Sequence, residues 1–151
     1  VLKFPDERLR RISKPVTEFD DELYELLDDM RETMYANDGM GLAAPQVGVP
    51  IRAIVMDVGG CYFELINPEI TFEEGEQIDE EGCLSVGHFH DNVQRPYKVT
   101  VKAMDRLGYN FEITGEKYFA RCASHEIDHL NGRLFIDISE HGQEYIKKHG
   151  K

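Results

Sequence analysis

The feature that most restricts the fold of this chain is the short run H-E-I-D-H at residues 125–129. In an α-helix, residues four positions apart lie on one face about one turn apart, so His125 and His129 can bind the same metal ion if the run is helical. A glutamate directly after the first histidine can reach a water molecule on the metal and move its proton. The run therefore predicts a helix that carries the metal site of a hydrolase. The alternative is an exposed helix with scattered histidines and acidic residues.

A metal held by two histidines needs a third protein ligand, and the sequence offers two kinds. The extended motif that ends in a third histidine is excluded, because Phe135 occupies that position. A carboxylate could come from Glu140 or Glu144, although both lie in a short polar tail. Upstream lies Cys83, within E-G-C-L-S at residues 81–85. A thiolate with two imidazoles leaves one tetrahedral position open for water, as a catalytic site requires.

Three segments together resemble the peptide deformylase family. Residues 39–46 read G-M-G-L-A-A-P-Q and are similar to the family's G-x-G-L-A-A-P-Q. Residues 81–85 match its E-G-C-L-S, and residues 125–130 match its H-E-x-D-H-L. The segments occur in the family's order, and the likeness extends over nearly the whole chain. The resemblance implies a metal-dependent hydrolase that removes the formyl group from the N-terminal formyl-methionine of newly made polypeptides and releases formate.

The resemblance implies that Cys83, His125 and His129 hold one divalent metal ion. It implies Fe(II) as the working ion in the cell, with Zn(II) commonly bound after purification, and the same donor set also suits Ni(II) and Co(II). Glu126 would take the proton of the attacking water as a general base and later deliver it to the departing amine as a general acid.

Negative charge develops on the formyl oxygen during attack, and hydrogen-bond donors must be in place where it appears. The resemblance assigns these donors to the side-chain amide of Gln46 and the backbone N–H of Leu84. The resemblance places Gly39 and Gly41 in a segment that pairs with the substrate as a strand. The alternative is that both are ordinary turn glycines.

The resemblance also implies the substrate contacts and their support. The residues expected against the substrate are Met40, Gly41, Gly82, Tyr118, Arg121 and Cys122. The methionine side chain would enter an apolar pocket, in which Arg121 is expected to contribute its aliphatic stem while its charge reaches solvent. Gly39, Glu81 and Arg95 would give structural support, the last two as an ion pair that steadies the strand of Cys83. The alternative is that Glu81 and Arg95 form a surface ion pair that has no effect on the site.

Local patterns predict an α+β fold: mostly antiparallel sheets around a central helix that carries residues 125–129, with an N-terminal helix and a short C-terminal helix. Asp20 is a plausible N-cap for an apolar stripe at residues 23–34, and residues 37–39 end that helix. Strands are expected at residues 51–58, 61–67, 69–76, 99–105 and 110–114, and the first two are joined by a predicted turn at Gly59 and Gly60. Helices are expected at about residues 116–131, with Gly132 as the stop, and at 139–149.

Length and composition limit the functional classes. A chain of 151 residues predicts one domain, residues 1–151, that acts as a single deformylase unit. The net charge of −12 disfavours broad nucleic-acid binding. No apolar run approaches the roughly 20 residues of a membrane span, and no signal peptide is recognisable, so we expect a cytoplasmic protein of bacterial type, with an organelle as the alternative. Three cysteines without a C-x-x-C pair indicate a reducing compartment.

The sequence departs from the family pattern at a few positions. Ser124 stands where the family usually has Gln, and Gly87 stands where it typically has Pro. His88 and His90 follow, either as groups at the rim of the metal site or as solvated loop residues. A basic C-terminal helix is associated with ribosome docking in the family, and the tail retains part of that character in Lys147, Lys148 and Lys151.

Two other functions compete with deformylation. A general metallopeptidase could use the same helix, although Cys83 as a ligand and the segment 39–46 argue against it. A binding module with a structural metal is the other reading. A structural site is normally closed by four protein ligands, so three good ligands beside a free glutamate favour catalysis.

Overall fold

The structure, a computed structural model, describes residues 1–150. The α-helices are α1 (Asp21–Ala36), α2 (Tyr118–Leu130) and α3 (Gly142–His149). The strands are β1 (Gly41–Ala43), β2 (Ala53–Val58), β3 (Cys61–Glu74), β4 (Gln77–Glu81), β5 (Asp91–Arg95), β6 (Lys98–Met104) and β7 (Asn110–Glu116). Short 3-10 helices cover Glu7–Arg10, Ala44–Val47 and Phe135–Asp137. This is an α+β fold with antiparallel sheets, as the sequence predicts.

The larger sheet has five antiparallel strands in the order β1-β2-β3-β6-β7. The predicted turn between β2 and β3 is confirmed, since Gly59 and Gly60 both have positive φ angles, of 63° and 83°. In the β6–β7 hairpin the Asp105 carboxylate accepts hydrogen bonds from the backbone N–H groups of Leu107 and Tyr109. The strand β7 runs two residues beyond its predicted end because Glu116 still pairs with Lys98.

The prediction of separate strands at 61–67 and 69–76 is wrong, because β3 is continuous from Cys61 to Glu74. An irregularity in its pairing with β6 lies between Ile66 and Glu69. There Asn67 has a φ of 53°, and its side chain exchanges hydrogen bonds with the backbone N–H and C=O of Val16. These bonds stabilise the irregular backbone, so the strand bends without ending.

A second sheet consists of β4 and β5 alone, and the sequence patterns predicted neither strand, nor the short strand β1. Val93 is the only apolar residue of β5, and its buried neighbours on the same face are Asp91 and Arg95. The apolar alternation by which strands are recognised is therefore missing, because the buried residues of this sheet other than Val93 are charged.

The helix α1 begins as predicted, since the Asp20 side chain accepts a hydrogen bond from the backbone N–H of Leu23. The helix α2 starts at Tyr118, slightly later than predicted, after Lys117 with a φ of 54°. It ends at Leu130, just before the predicted stop at Gly132, whose φ is 73°. The helix α3 starts at Gly142, three residues later than predicted, after the N-cap residue His141.

The two long helices pack on opposite faces of the larger sheet. Along β2, Ile54 and Met56 belong to the core cluster of α2, whereas Ala53 and Val55 belong to that of α1. This alternation follows from the strand geometry and explains why β2 is apolar on both sides. The far side of α2 contacts the small sheet, so α2 lies between the two sheets. None of the helices within residues 1–150 is long and apolar enough to cross a bilayer.

Candidate metal centre and cleft

A cleft of about 630 Å³ lies between β1, the turn after β4 and the helix α2. Every residue that the sequence assigned to the substrate lines it, and so do the ligand residues Cys83 and His125. The fold thus gathers, in one place, segments that are more than 80 residues apart in the chain.

The three predicted metal ligands converge at the floor of this cleft. Their donor atoms all lie within 4.8 Å of one another, and Cys83 Sγ lies 3.3 Å from His129 Nε2. Tetrahedral coordination with ordinary Zn–S and Zn–N distances places such a pair roughly 3.5 Å apart. The donor set therefore fits a single divalent ion such as Zn(II) or Fe(II).

The alternative third ligands lie elsewhere. Glu140 accepts a hydrogen bond from the side chain of Asn92, and Glu144 is exposed on α3. Glu140 belongs instead to a separate group with Asp91 and His141. The structure therefore brings only Cys83, of the ligands considered from the sequence, to the histidine pair.

Glu126 lies beside the ligands on α2 and is buried, and its Oε1 has no hydrogen-bond partner within residues 1–150. Burial raises the pKa of its carboxyl group to about 7. A carboxyl group with a pKa near neutrality can both accept and release a proton at physiological pH, which a general base that later acts as an acid must do.

Close packing holds this carboxylate against β1. A Cβ atom added to Gly41 would lie 2.6 Å from Glu126 Oε2 and 2.9 Å from Cys122 Sγ. Only glycine allows the backbone of β1 to approach α2 this closely. Cys122 is not one of the three converging donors, and its thiol donates to the carbonyl of Met40 over 3.5 Å.

The two residues expected to supply the oxyanion donors, Gln46 and Leu84, also line the cleft. The Gln46 side chain is fixed through Oε1, which accepts the backbone N–H of Ala43 at 2.9 Å. Its Nε2 donates to Ser85 Oγ over 3.1 Å and points at Cys83 Sγ, 3.6 Å away. The backbone N–H of Leu84 has no acceptor in the described part of the chain. Sequence reasoning missed Ser85, although it belongs to the E-G-C-L-S run.

Glu81 and Arg95 form the predicted ion pair, with Nε–Oε2 and Nη2–Oε1 distances of 2.8 and 3.0 Å. The expectation that Cys83 lies on a strand is wrong, because β4 ends at Glu81 and Cys83 follows it. Sequence reasoning missed that Glu81 also accepts a hydrogen bond from His125 Nδ1 at 2.8 Å. This bond leaves Nε2 of the ring for the metal. Burial works against the ionised form of Glu81, but the hydrogen bonds from His125 and Arg95 outweigh it and lower its pKa.

The expectation that the Arg121 charge reaches solvent is wrong. Arg121 is buried, and its Nη1 donates to Glu81 Oε2 at 2.6 Å and to the Val93 carbonyl at 3.0 Å. The guanidinium turns inward because a carboxylate and a strand carbonyl lie beside α2 within the protein, where an ion pair compensates its burial.

The remaining departures from the pattern lie at the edge of the cleft or behind it. His88 and His90 are exposed and line the rim, and the His90 ring packs directly over the backbone of Gly82. Ser124 is buried on α2, and its hydroxyl has no partner within residues 1–150. Gly39 packs against Leu84, as its Cβ position lies 3.2 Å from Leu84 Cδ1.

Comparison with known proteins identifies the relationship. A profile of the polypeptide deformylase family matches residues 1–144. The chain belongs to the peptide deformylase family. The peptide deformylase of a Thermoanaerobacter species is 52% identical, over 99% of this chain and 93% of its own length. That of Caldicellulosiruptor bescii is 54% identical, over 91% of this chain and 82% of its own length.

Solved structures of the family share the fold. The crystal structure of a peptide deformylase from Legionella pneumophila has a TM-score of 0.93 at 50% identity, covering 99% of this chain and 90% of its own. The Thermotoga maritima peptide deformylase has a TM-score of 0.91 at 44% identity, covering 93% and 96%. Peptide deformylases are metal-dependent hydrolases, and this chain accordingly removes the formyl group from the N-terminal formyl-methionine of new polypeptides.

Proposed function

We propose that the cleft is the deformylase active site and that Cys83, His125 and His129 hold its single metal ion. The observation that carries this proposal is the convergence of the three donor atoms within 4.8 Å, beside the buried carboxylate of Glu126. On this proposal α2 is the central helix of the fold, and its H-E-x-x-H run supplies two ligands and the base. The metal, when bound, supplies the Lewis acidity that makes a water molecule nucleophilic near neutral pH.

Glu126 would accept the proton of the attacking water and deliver it to the departing amine. Its raised pKa, which burial brings to about 7, supports this double role, because the carboxyl group can then exchange a proton near neutral pH. The unpartnered Oε1 leaves one oxygen of the carboxylate available to a proton donor.

Gln46 and Leu84 would stabilise the oxyanion. The Gln46 amide is held through Oε1, so its Nε2 stays aimed at the cleft floor, and the backbone N–H of Leu84 is available to an incoming oxygen. A neutral amide suits this role because it donates without competing for the metal.

The peptide chain would lie along β1 and Gly82, and its first side chain would enter the pocket beside Met40, Tyr118 and Cys122. The half-exposed side chains of Met40 and Tyr118 form the mouth of this pocket. We propose that Gly41 and Gly82 keep the backbone free of side chains where the substrate approaches, and that Gly39 supports the turn into β1.

The cellular setting completes the proposal. We propose one deformylase domain in the cytoplasm of a bacterium or in an organelle, with Fe(II) as its working metal and Zn(II), Ni(II) or Co(II) as substitutes. The basic C-terminal segment, with Lys147 and Lys148 on α3, would contact the ribosome; Lys151 lies outside the described residues. Elemental analysis of protein purified without oxygen tests the metal assignment, which iron-free active enzyme would overturn.

The decisive test of the active site is the substitution Glu126→Gln. We expect it to keep stoichiometric metal and to lower formate release from formyl-Met-Ala by about 10²–10⁴-fold, because the amide keeps the shape of the side chain but cannot accept the proton. An internal peptide bond in an unformylated peptide serves as the control substrate and should not be cleaved by the wild-type enzyme. Wild-type turnover by the metal-loaded variant would refute the role given to Glu126.

A further inference from the structure

The carboxylate of Glu81 is fully occupied by hydrogen bonds from within the protein. Oε1 accepts from His125 Nδ1 and Arg95 Nη2, and Oε2 accepts from Arg95 Nε and Arg121 Nη1. A carboxylate has about four acceptor positions, so no position is left for water or for rotation into another arrangement. The orientation of His125 thus depends on a carboxylate that two arginines clamp.

Arg121 reaches this carboxylate because of its place on α2. It precedes His125 by four residues and therefore lies on the same helix face, one turn earlier. Its Nη1 is anchored a second time by the carbonyl of Val93 on β5, at 3.0 Å. The guanidinium consequently links α2 to the small sheet one helical turn before the metal ligand His125.

Charge balance explains why one arginine is insufficient. Arg95 is shared between two carboxylates, because its Nη1 also donates to Asp128 Oδ2 at 2.7 Å. Together Arg95 and Arg121 carry two positive charges against the two negative charges of Glu81 and Asp128. Without Arg121 the single guanidinium of Arg95 would have to balance both carboxylates. Of these, Glu81 is buried next to the ligand His125, where incomplete compensation of its charge is costly.

We propose that Arg121 is a positioning residue of the metal centre, which acts through Glu81 to fix the ring of His125 toward the metal. This role differs from that of a wall of the substrate pocket, which the family resemblance implied for Arg121. The proposal rests on the metal site described under the proposed function. On this proposal the metal affinity depends on Arg121, whereas recognition of the first side chain of the substrate does not.

Two substitutions separate these roles. Arg121→Met keeps a long apolar stem and removes the donors, whereas Arg121→Lys keeps the charge and loses the planar fork. For both variants we would measure Zn(II) affinity by competition with a chelator, the visible absorption spectrum of the Co(II)-loaded protein, and kcat and KM for formyl-Met-Ala. Tyr118→Leu is the matched control, because Tyr118 lines the same cleft at its exposed mouth and is not among the hydrogen-bond donors to Glu81.

We expect Arg121→Met to bind Zn(II) about 10–100-fold more weakly and to change the Co(II) spectrum, as found when partners of metal ligands are removed. Arg121→Lys should fall between this variant and the wild type. In both, kcat per bound metal should decrease while KM changes little; in Tyr118→Leu only KM should change.

Wild-type metal affinity and an unchanged Co(II) spectrum in Arg121→Met, with a raised KM, would overturn the proposal and restore the pocket role. If Arg121→Met does not fold, the affinity and spectrum of Arg121→Lys decide in the same way. A failure of the active-site proposal is distinguishable, since it would appear as wild-type formate release by the metal-loaded Glu126→Gln variant while the metal affinities of the Arg121 variants still differ.

Discussion

At the scale of single residues, the distance between β1 and α2 decides whether the proposed base can occupy its place. Gly41 faces Glu126 and Cys122 so closely that a methyl group has no room. The identity of this residue therefore matters for the chemistry of another residue 85 positions away, which no local pattern of the chain could indicate.

Substituting Gly41→Ala should displace the Glu126 carboxylate and lower kcat at least about tenfold, because small misplacements of a catalytic group cost up to about 10²-fold. The metal content should stay at the wild-type level, since Gly41 contacts no ligand. Gly39→Ala is the matched control. Its new methyl group would come closest to the flexible end of Leu84, at 3.2 Å, and would lie at an ordinary contact distance of 3.5 Å from two backbone carbonyl oxygens, so a much smaller loss is expected. Equal losses in the two variants would contradict this account.

At the scale of elements, the short helix α3 secures the segment that follows Cys83. The Tyr145 hydroxyl donates to the carbonyl of Val86, and the Tyr145 ring stacks on Phe89 with centroids 4.4 Å apart. At the start of the helix, Asp91 accepts hydrogen bonds from the backbone N–H and the ring Nδ1 of His141. A helix of eight residues is too short to be stable alone, so these contacts hold it in place.

The start of α3 should respond to pH. The hydrogen bond with Asp91 raises the pKa of His141 above its ordinary value of 6.5. A raised folded-state pKa means that the contribution of this pair is fully present below about 6.5 and is lost as the pH rises through the folded-state value. An NMR titration of Zn(II)-loaded protein should give a His141 pKa above 6.5, and Asp91→Asn should lower it. A wild-type value at or below 6.5 would contradict the assignment.

At the scale of the whole molecule, the proposed metal joins separate parts of the fold. Cys83 follows the small sheet, whereas His125 and His129 belong to the helix that packs on the large sheet. A ligand that binds only the folded state stabilises that state in proportion to its binding free energy. The metal should therefore act as a cross-link between the two sheets as well as a catalytic ion.

Removal of the metal should lower the Tm. At a free metal concentration about 100 times Kd, binding adds about 2.7 kcal/mol, which for a chain of this size corresponds to about 5–10 °C. Calorimetry of metal-free and Zn(II)-loaded protein measures the difference. In Cys83→Ala, which keeps only two of the ligands, most of this difference should disappear. A metal-dependent Tm shift of wild-type size in Cys83→Ala would place the third ligand elsewhere.

The sequence by itself determined the elements whose signals are local: the capped helix α1, the hairpin at Gly59 and Gly60, and the helical spacing of His125 and His129. It also pointed to Cys83, because a short motif carries that residue next to Glu81. Such features depend on side-chain spacing and backbone preference within a few residues, and both can be read from the local sequence.

Only the tertiary structure decided the rest. The small sheet gave no apolar pattern, since all of its buried residues except Val93 are charged. Glu81, Asp91 and Arg95 are tolerated there only because they pair with groups brought from elsewhere. The inward turn of Arg121 has the same cause. A charged side chain is predicted to be exposed when its partners are unknown. The partners of Arg121 lie 28 and 40 residues away along the chain. Long-range electrostatic compensation therefore defines this site, and it exists only once the chain has folded.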